Sequence, residues 1–392
     1  MLKRAIVLVL DSVGIGALPD AWQYGDVGAN TLAHVAERVG SLELPNLAEL
    51  GLGHLASGQG LTPAVNPRGS FGRMAELSVG KDTTVGHWEL MGIVTTREFP
   101  TYPQGFPAEL IREFERRIGR AVLGNRPASG TEIIAQLGPE HLRTGRPIVY
   151  TSADSVFQVA AHEAVIPPEE LYRICLVARE LLTGRHAVAR VIARPFEGEP
   201  GHFRRTERRK DFNLPPPEPT LLDRALEYGL DSIGVAKVGD IFAHRGFSRE
   251  VQAPGNAAVL SAVLDELAQD WHGVLLANFV DFDMLYGHRN DPVGYAQALR
   301  AFDAGLPAIV ASLREDDGLF ITADHGCDPT LPSTDHTREH VPLLCCGARL
   351  RQGVNLGART SFADLAATLS ELCGLPKGQW GRSFAPELVH RG

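Results

Sequence analysis

Six side chains able to bind metal ions lie in three distant parts of this sequence of 392 residues. Each part follows a run of apolar residues, at 4–10, 274–280 and 318–322, that predicts a buried strand. The side chains are Asp11, Asp283, His288, Asp324, His325 and His336. Three carboxylates and three imidazoles are more than one zinc-type ion needs. We therefore expect two ions with mixed oxygen and nitrogen ligands, for which Mn²⁺ or Zn²⁺ is better suited than Ca²⁺.

A parallel sheet would bring these strand ends together. Ligands of open α/β sheets collect beyond the carboxyl ends of the strands, so we expect one polar site built from all three segments. Each ligand alone has a commoner structural explanation, because a lone Asp after a strand is often a turn residue and a lone His is often a satisfied surface residue. One site for two ions explains all six side chains at once.

Thr83 is the candidate nucleophile of this site. Two adjacent ions can polarise a phosphoryl oxygen and lower the pKa of a hydroxyl, which predicts phosphoryl transfer. The residues from Thr83 onward predict a helix with Asp82 or Thr83 near its N-cap, where backbone N–H groups and the helix dipole favour an anion. The alternative is that Thr83 only caps the helix, which is the commoner role of Thr at such a position.

The composition is that of an ordinary soluble globular protein, with 44% hydrophobic and 22% charged residues. A net charge of −9 and an isoelectric point near 5.9 argue against nucleic-acid and anionic-membrane partners. No apolar run approaches the roughly 18 residues of a membrane helix, and the first apolar segment lacks the features of a signal peptide. We therefore expect a cytoplasmic protein.

The five cysteines lack CxxC spacing, which favours reduced thiols. Cys327 follows Asp324-His325-Gly326 and could approach the metal site. The oxygen and nitrogen ligands suffice without it, so we expect Cys327 to be a bystander.

The chain exceeds the length at which one hydrophobic core usually stops growing, so two domains are expected. We predict an α/β core domain at residues 1–97 and 219–392 and an inserted α/β domain at 98–218, which ends in the Pro-rich segment 214–219. Helices are predicted at 31–38, 46–50, 107–120, 168–182, 256–268 and 361–373, and further strands at 147–152, 187–193 and 231–237.

At these residues the sequence resembles the phosphopentomutases, a family of the alkaline phosphatase superfamily. The matching motifs are Asp11-Ser-Val-Gly-Ile-Gly16, Gly80-Lys-Asp-Thr83, Gly86-His-Trp-Glu89, Tyr150-Thr-Ser-Ala-Asp-Ser155, Arg190-Val-Ile-Ala-Arg-Pro195, Asp281-Phe-Asp-Met-Leu-Tyr-Gly-His-Arg289 and Thr322-Ala-Asp-His-Gly326. They run nearly end to end and include the inserted segment, which makes the match more specific than a metal pattern shared by a superfamily.

The resemblance implies an alkaline-phosphatase-like core, with a mostly parallel sheet flanked by helices, and an inserted smaller α/β cap. It implies that Thr83 is the phosphorylated nucleophile. One Mn²⁺ would be held by Asp283, His288 and His336, and the other by Asp11, Asp324 and His325. The sugar or its distal phosphate would meet Ser152, Asp154 and Arg190 of the cap and Lys237 of the core.

The implied activity is the interconversion of α-D-ribose 1-phosphate and D-ribose 5-phosphate, and of the 2-deoxyribose pair, through a phosphothreonine and a pentose 1,5-bisphosphate. Ribose 1,5-bisphosphate or glucose 1,6-bisphosphate would prime the enzyme. Two alternatives stay open. A metal-dependent phosphatase or phosphodiesterase on the same core would release inorganic phosphate, and a metal-binding protein without catalysis would be expected to lack Thr83 or one of the six ligands.

Overall fold

The computed structural model describes residues 1–56, 60–152 and 155–389. The chain divides into two compact units, Met1–Arg97 with Pro216–Gly392, and Glu98–Pro215. The first unit therefore resumes at Pro216 rather than at the predicted residue 219. No helix within the described residues is both long and apolar enough to span a membrane.

The strands are β1 (Arg4–Leu10), β2 (Ser70–Met74), β3 (Leu123–Pro127), β4 (Ile148–Thr151), β5 (Val156–His162), β6 (Arg190–Glu197), β7 (Arg204–Arg205), β8 (Lys210–Asn213), β9 (Asp231–Val235), β10 (Arg249–Val251), β11 (Gly273–Phe279), β12 (Asp317–Thr322), β13 (Val341–Cys346) and β14 (Asn355–Arg359). The helices are α1 (Thr31–Val39), α2 (Pro45–Leu50), α3 (Thr83–Leu90), α4 (Ala108–Ile118), α5 (Gly130–Thr144), α6 (Pro168–Leu181), α7 (Leu221–Glu227), α8 (Val238–Ile241), α9 (Asn256–Ala268), α10 (Pro292–Ala311), α11 (Ala363–Leu372) and α12 (Ala385–Leu388).

The first unit is built on a sheet of eight strands in the order β10-β9-β11-β1-β12-β13-β2-β14. Its strand pairs are parallel except for the two pairs that β13 makes with β12 and β2. Every residue of β1, β11 and β12 is buried, as expected for central parallel strands that are covered on both faces. Helices α1, α2 and α9 pack on α10, and α3 packs on α8 and α11. The predicted α/β class with a mostly parallel sheet is confirmed.

The second unit has its own sheet, in which β3, β4, β5, β6 and β7 are neighbours in that order and β8 also pairs with β6. Each face of this sheet packs against its own hydrophobic core. Successive residues of a strand point into different cores, because side chains alternate between the two faces of a sheet. Val149 and Val159 pack with α4 and α6, whereas Tyr150 and Ala160 pack with α5. The unit thus has helices on both sheet faces.

One predicted strand is displaced, and five helices lie where no element was predicted, namely α5, α7, α8, α10 and α12. Both α5 and α10 contain an internal proline, Pro139 and Pro307, which interrupts a helical sequence pattern. The strand predicted at 187–193 begins only at Arg190, because the chain turns at Gly184–His186 before it joins the sheet.

Candidate active site

Three parallel strands carry the predicted metal ligands to one edge of the first sheet. β1 pairs with β11 and with β12 in parallel, and the three strands end side by side. Asp11 directly follows β1, and Asp324 follows β12 after one residue. β11 leads into a π-helical turn, Phe282–Tyr286, that carries Asp283. Such turns are rare and occur often at functional sites.

The first ligand group is the predicted set of Asp11, Asp324 and His325. The His325 Nε2 atom lies 3.4 Å from Asp11 Oδ1 and 3.2 Å from Asp324 Oδ2. All three residues are buried, and one ligand atom from each lies within 4.8 Å of the others. The Thr83 Oγ1 atom lies 3.1 Å from the same His325 nitrogen. The structure therefore brings the predicted nucleophile to this ligand group.

The second ligand group is the predicted set of Asp283, His288 and His336. The His288 Nε2 atom lies 3.1 Å from Asp283 Oδ2, and the His336 Nε2 atom lies 3.4 Å from Asp283 Oδ1. The two histidine Nε2 atoms are 3.0 Å apart. The His336 ring also stacks on His325, with the ring centroids 3.8 Å apart, so the two ligand groups adjoin each other.

The three histidines share one orientation. Each Nδ1 atom lies within hydrogen-bond distance of a backbone carbonyl oxygen: 2.6 Å to Thr334 for His288, 3.0 Å to Gly326 for His325 and 2.9 Å to Lys81 for His336. A hydrogen bond from Nδ1 to a carbonyl fixes the tautomer and leaves the Nε2 lone pair for a metal ion. In all three residues it is Nε2 that faces the carboxylates.

The carboxylates have oxygens that no hydrogen bond satisfies. Among the described residues, Asp11 Oδ1, Asp283 Oδ1 and Asp324 Oδ2 are buried without a hydrogen-bond partner. Buried polar atoms are normally paired, so three unpaired acceptors in one cluster are what a cation site requires. The chemistry of the donor set therefore fits divalent ions.

Burial and neighbouring charges shift the pKa values of the carboxylates in this cluster. Burial, together with the charges of Asp324 and Asp283, raises the pKa of Asp11 well above its usual range. Burial opposes the ionisation of Asp324 as well, but His325 and His87 hold its pKa well below the usual range. Divalent ions bound at these side chains would compensate the buried negative charge.

Thr83 is the first residue of α3, as predicted. The Asp82 side chain caps this helix, because its Oδ1 atom accepts hydrogen bonds from Thr84 N and Val85 N at 3.0 and 3.1 Å. The Thr83 hydroxyl is therefore not used for capping and faces His325 instead. This geometry disfavours the alternative in which Thr83 has only a capping role.

Two residues that support the ligands were not among the predicted site residues. Asn278 Nδ2 donates a hydrogen bond to Asp11 Oδ2 at 2.9 Å. Ser12, whose φ of 73° is unusual for a residue with a side chain, donates its backbone N–H to Asp324 Oδ1 at 3.1 Å. The signal for Asn278 was its position as a polar residue within the apolar run 274–280. For Ser12 no sequence signal was present.

Arg338 also went unpredicted, although it holds the segment before Thr83. Its Nη1 atom donates hydrogen bonds to the carbonyl oxygens of Ser78 and Gly80, at 2.8 and 2.7 Å, and to Glu76 Oε2 at 2.7 Å. Its Nη2 atom donates to Asp20 Oδ2 at 3.0 Å. A charged side chain three positions before the apolar run 341–346 was the available signal.

The predicted substrate residue of the first unit is Lys237. It is exposed, and its Nζ atom lies 3.7 Å from the sulfur of Met284, the residue after Asp283.

Ser152 and Arg190, two other predicted substrate residues, belong to the second unit. Ser152 directly follows β4 and lines a cavity of about 390 Å³ together with Thr101, Pro103 and Pro127. Arg190 is half-exposed at the start of β6, and its backbone N–H donates to the carbonyl oxygen of Ser155 at 3.3 Å. Asp154 lies outside the described residues.

The five cysteines all fall within the described ranges, and each is a buried free thiol. Cys327 lies beside the second ligand group, because its sulfur belongs to a set of possible metal donors with Asp283 and His288. Burial, followed by the charges of Asp283 and Asp11, raises the pKa of its thiol.

The chain is similar over most of its length to proteins of known type. Residues 3–377 match the family model described as the metalloenzyme superfamily. The chain is 57% identical over 387 residues to a phosphopentomutase of Carboxydothermus hydrogenoformans, which covers 99% of this chain and 100% of that protein. It is 56% identical over 388 residues to a phosphopentomutase of Acetivibrio thermocellus, again covering 99% and 100% of the two chains.

A solved structure of a protein from Pyrococcus horikoshii aligns with a TM-score of 0.50 at 16% identity. The alignment covers 97% of this chain and 100% of that protein. At this level of identity the similarity shows a shared fold and nothing further.

Proposed function

This chain belongs to the phosphopentomutase family of the metalloenzyme superfamily, and we propose that its residues carry out the reaction through a phosphothreonine. The proposed reaction interconverts α-D-ribose 1-phosphate and D-ribose 5-phosphate, and the corresponding 2-deoxyribose phosphates. The chain is thus an isomerase that moves a phosphoryl group between two positions of one sugar.

The observation that carries the proposal is the contact between the hydroxyl of Thr83 and a ligand group. Thr83 Oγ1 lies 3.1 Å from His325 Nε2, which in turn faces two buried carboxylates. A hydroxyl at a helix N-terminus, beside groups that can hold cations, is placed where a phosphate would be stabilised once formed. A Thr with a purely structural role has no need of this arrangement.

We propose two Mn²⁺ ions per chain. Asp283, His288 and His336 would hold one ion, and Asp11, Asp324 and His325 the other. Bound there, the ions would lower the pKa of the Thr83 hydroxyl and stabilise the charge on the transferring phosphoryl group. The mixture of carboxylate and imidazole donors suits Mn²⁺, although Zn²⁺ is compatible with the same donors.

After one priming displacement, each turnover would proceed by two displacements at phosphorus. A sugar bisphosphate, either ribose 1,5-bisphosphate or glucose 1,6-bisphosphate, first gives one phosphoryl group to Thr83 Oγ1, and the hydroxyl proton ends on the departing sugar oxygen. Phosphothreonine then transfers its phosphoryl group to the free hydroxyl of a pentose monophosphate, which forms the 1,5-bisphosphate. Thr83 finally takes the other phosphoryl group of that intermediate and releases the isomerised monophosphate.

The second unit would provide the sugar specificity. Ser152, Asp154 and Arg190 are proposed to contact the pentose or its distal phosphate, with Lys237 contributing from the first unit. A cavity of about 390 Å³ at Ser152 has a volume typical of small-molecule sites. An ionised Asp only accepts hydrogen bonds and so suits ribose hydroxyls, whereas the planar guanidinium of Arg190 suits a phosphate.

Phosphorus NMR of the Mn²⁺-loaded chain tests this function. The chain is incubated with ribose 5-phosphate and a trace of glucose 1,6-bisphosphate, and a Thr83→Ala chain serves as the control. We expect ribose 1-phosphate to appear without inorganic phosphate, and no reaction in the control. Inorganic phosphate as the sole product would mean that the chain is a phosphatase, and an unchanged spectrum would mean that the metal-loaded chain is not a catalyst.

A further inference from the structure

The sulfur of Cys327 lies inside the metal-binding region, although the proposed reaction does not use it. Cys327 is 1% exposed, and its Sγ atom is 3.6 Å from the carbonyl oxygen of Asp335, the residue before His336. A Cβ atom at Gly287 would lie only 2.8 Å from the same sulfur, so the thiol packs directly against the backbone beside His288. His336, which follows Asp335, and His288, which follows Gly287, are both proposed metal ligands.

Cys327 completes a donor set of its own. One ligand atom each from Asp283, His288 and Cys327 lies within 4.8 Å of the others. Asp283 is 7% exposed, and its Oδ1 atom has no hydrogen-bond partner among the described residues. The Nδ1 atom of His288 lies 2.6 Å from the carbonyl oxygen of Thr334, which leaves Nε2 for a cation. The thiol is therefore accompanied by a buried, unpaired carboxylate oxygen and a pre-oriented imidazole.

We propose that Asp283, His288 and Cys327 form a second, thiophilic coordination mode that captures soft divalent ions such as Cd²⁺. This inference rests on the metal centre proposed above, since it shares Asp283 and His288 with that centre and uses Cys327 in place of His336. Oxygen-rich sites suit Mn²⁺, whereas a thiolate favours soft ions. A soft ion held in this mode excludes the ion that the catalytic ligand group would bind.

The binding step is balanced by the release of one proton. Cys327 is a neutral buried thiol, and a soft cation forms a metal–sulfur bond as the S–H bond breaks and its proton passes to solvent. No electron is transferred. The consequence is that thiophilic ions inhibit the enzyme by occupying the ligands of one catalytic ion.

Cobalt absorption spectroscopy tests the proposal without measuring activity. The metal-free chain, a Cys327→Ala chain and a Cys345→Ala control are each titrated with Co²⁺, because a thiolate bound to Co²⁺ gives a charge-transfer band in the near ultraviolet. Cys345 is a matched control, since it is also a buried thiol and belongs to none of the donor sets found among the described residues. We expect the band in the parent chain and in the control, and its loss in Cys327→Ala.

Competition between Cd²⁺ and Mn²⁺ gives a second readout. Cys327→Ala should bind Cd²⁺ about tenfold more weakly or worse, because the loss of a ligand costs at least as much affinity as the loss of a group that only orients a ligand. The same variant should bind Mn²⁺ as the parent chain does. Mn²⁺ binding without the cobalt band, or a band that persists in Cys327→Ala, overturns this inference alone. If the parent chain bound neither Co²⁺ nor Mn²⁺, the proposed metal centre would fail with it.

Discussion

The Nδ1 atom of His336 lies 2.9 Å from the carbonyl oxygen of Lys81, which joins a proposed metal ligand to the backbone just before Thr83. Arg338, two residues further along, donates a hydrogen bond to the carbonyl oxygen of Gly80 at 2.7 Å. One short segment between β12 and β13 thus contains the proposed ligand His336 and also binds the loop that precedes Thr83. A disturbance of this segment should affect metal binding and phosphoryl transfer together.

Removal of the Arg338 guanidinium should slow phosphoryl transfer. In Arg338→Lys the positive charge stays, but the planar guanidinium that donates to the carbonyl oxygens of Ser78 and Gly80 is lost. Lysine cannot make the same planar set of hydrogen bonds. A displacement of the nucleophile by about 1 Å can cost on the order of a hundredfold in rate, so we expect kcat to fall by about that factor while KM changes little. Steady-state kinetics measure both constants.

The control for this substitution is Arg300→Lys, which alters an exposed arginine bonded to the carbonyl oxygen of Ser41. It should leave kcat unchanged. A folded Arg338→Lys chain with the parent kcat would show that the loop before Thr83 does not depend on this arginine.

Substitution of Asn278 should weaken metal binding. Asn278→Leu removes the hydrogen bond that orients Asp11, and loss of such a partner typically costs about 10- to 100-fold in metal affinity. Titration of the metal-free chain with Mn²⁺ measures the change. Asn46→Leu is a matched control, because Asn46 Nδ2 binds Asp303 at the same distance of 2.9 Å, away from the ligand groups. Equal Mn²⁺ affinities in the two variants would refute the supporting role.

Chelation of the metal ions should lower the thermal stability of the chain. The ligand groups bring three carboxylates together in a buried region, where their charges repel and metal ions offset the repulsion. Ligand at 100 times its Kd stabilises a folded protein by about 2.7 kcal/mol, so Tm should rise by several degrees when Mn²⁺ is restored. Calorimetry with and without Mn²⁺ makes the comparison.

Asp11→Asn serves as the reference for this experiment. The neutral amide removes one buried carboxylate and one metal ligand. Addition of Mn²⁺ should therefore raise the Tm of this variant much less than the Tm of the parent chain. An identical gain in both chains would contradict the assignment of Asp11 to a metal ion.

Substitution of Asp154 should separate sugar recognition from nucleophile chemistry. In Asp154→Ala we expect KM for ribose 5-phosphate to rise by about tenfold or more, the cost of one charged hydrogen bond, while Thr83 is still phosphorylated by glucose 1,6-bisphosphate. Kinetics and intact-mass measurement follow the two effects. If the kinetics matched those of the parent chain, Asp154 would not take part in sugar recognition.

The sequence predicted the elements that follow simple periodic patterns. The apolar run at 4–10 became β1 with the same bounds, and the helix at 256–268 became α9 with the same bounds. The gathering of Asp11, Asp283 and Asp324 also followed from one rule, that the ends of parallel strands meet at one edge. These inferences depend on local pattern and on general topology.

The supporting residues could not be predicted in the same way. Asn278 and Arg338 act through hydrogen bonds to residues that are 267 and 258 positions away along the chain. No local spacing encodes such partners. The π-helical turn that carries Asp283 is likewise invisible in the sequence, since its hydrogen-bond register differs from that of an α-helix without a distinctive composition.

The most direct test of the central claim is to locate the phosphoryl group on the chain. The Mn²⁺-loaded parent chain and its Thr83→Ala and Thr84→Ala variants are incubated with glucose 1,6-bisphosphate, digested and analysed by mass spectrometry. We predict one phosphate on Thr83 in the parent and in Thr84→Ala, none in Thr83→Ala, and a similar metal content in all three. A phosphate on another residue, or transfer of phosphate between pentose positions by Thr83→Ala, would contradict the account.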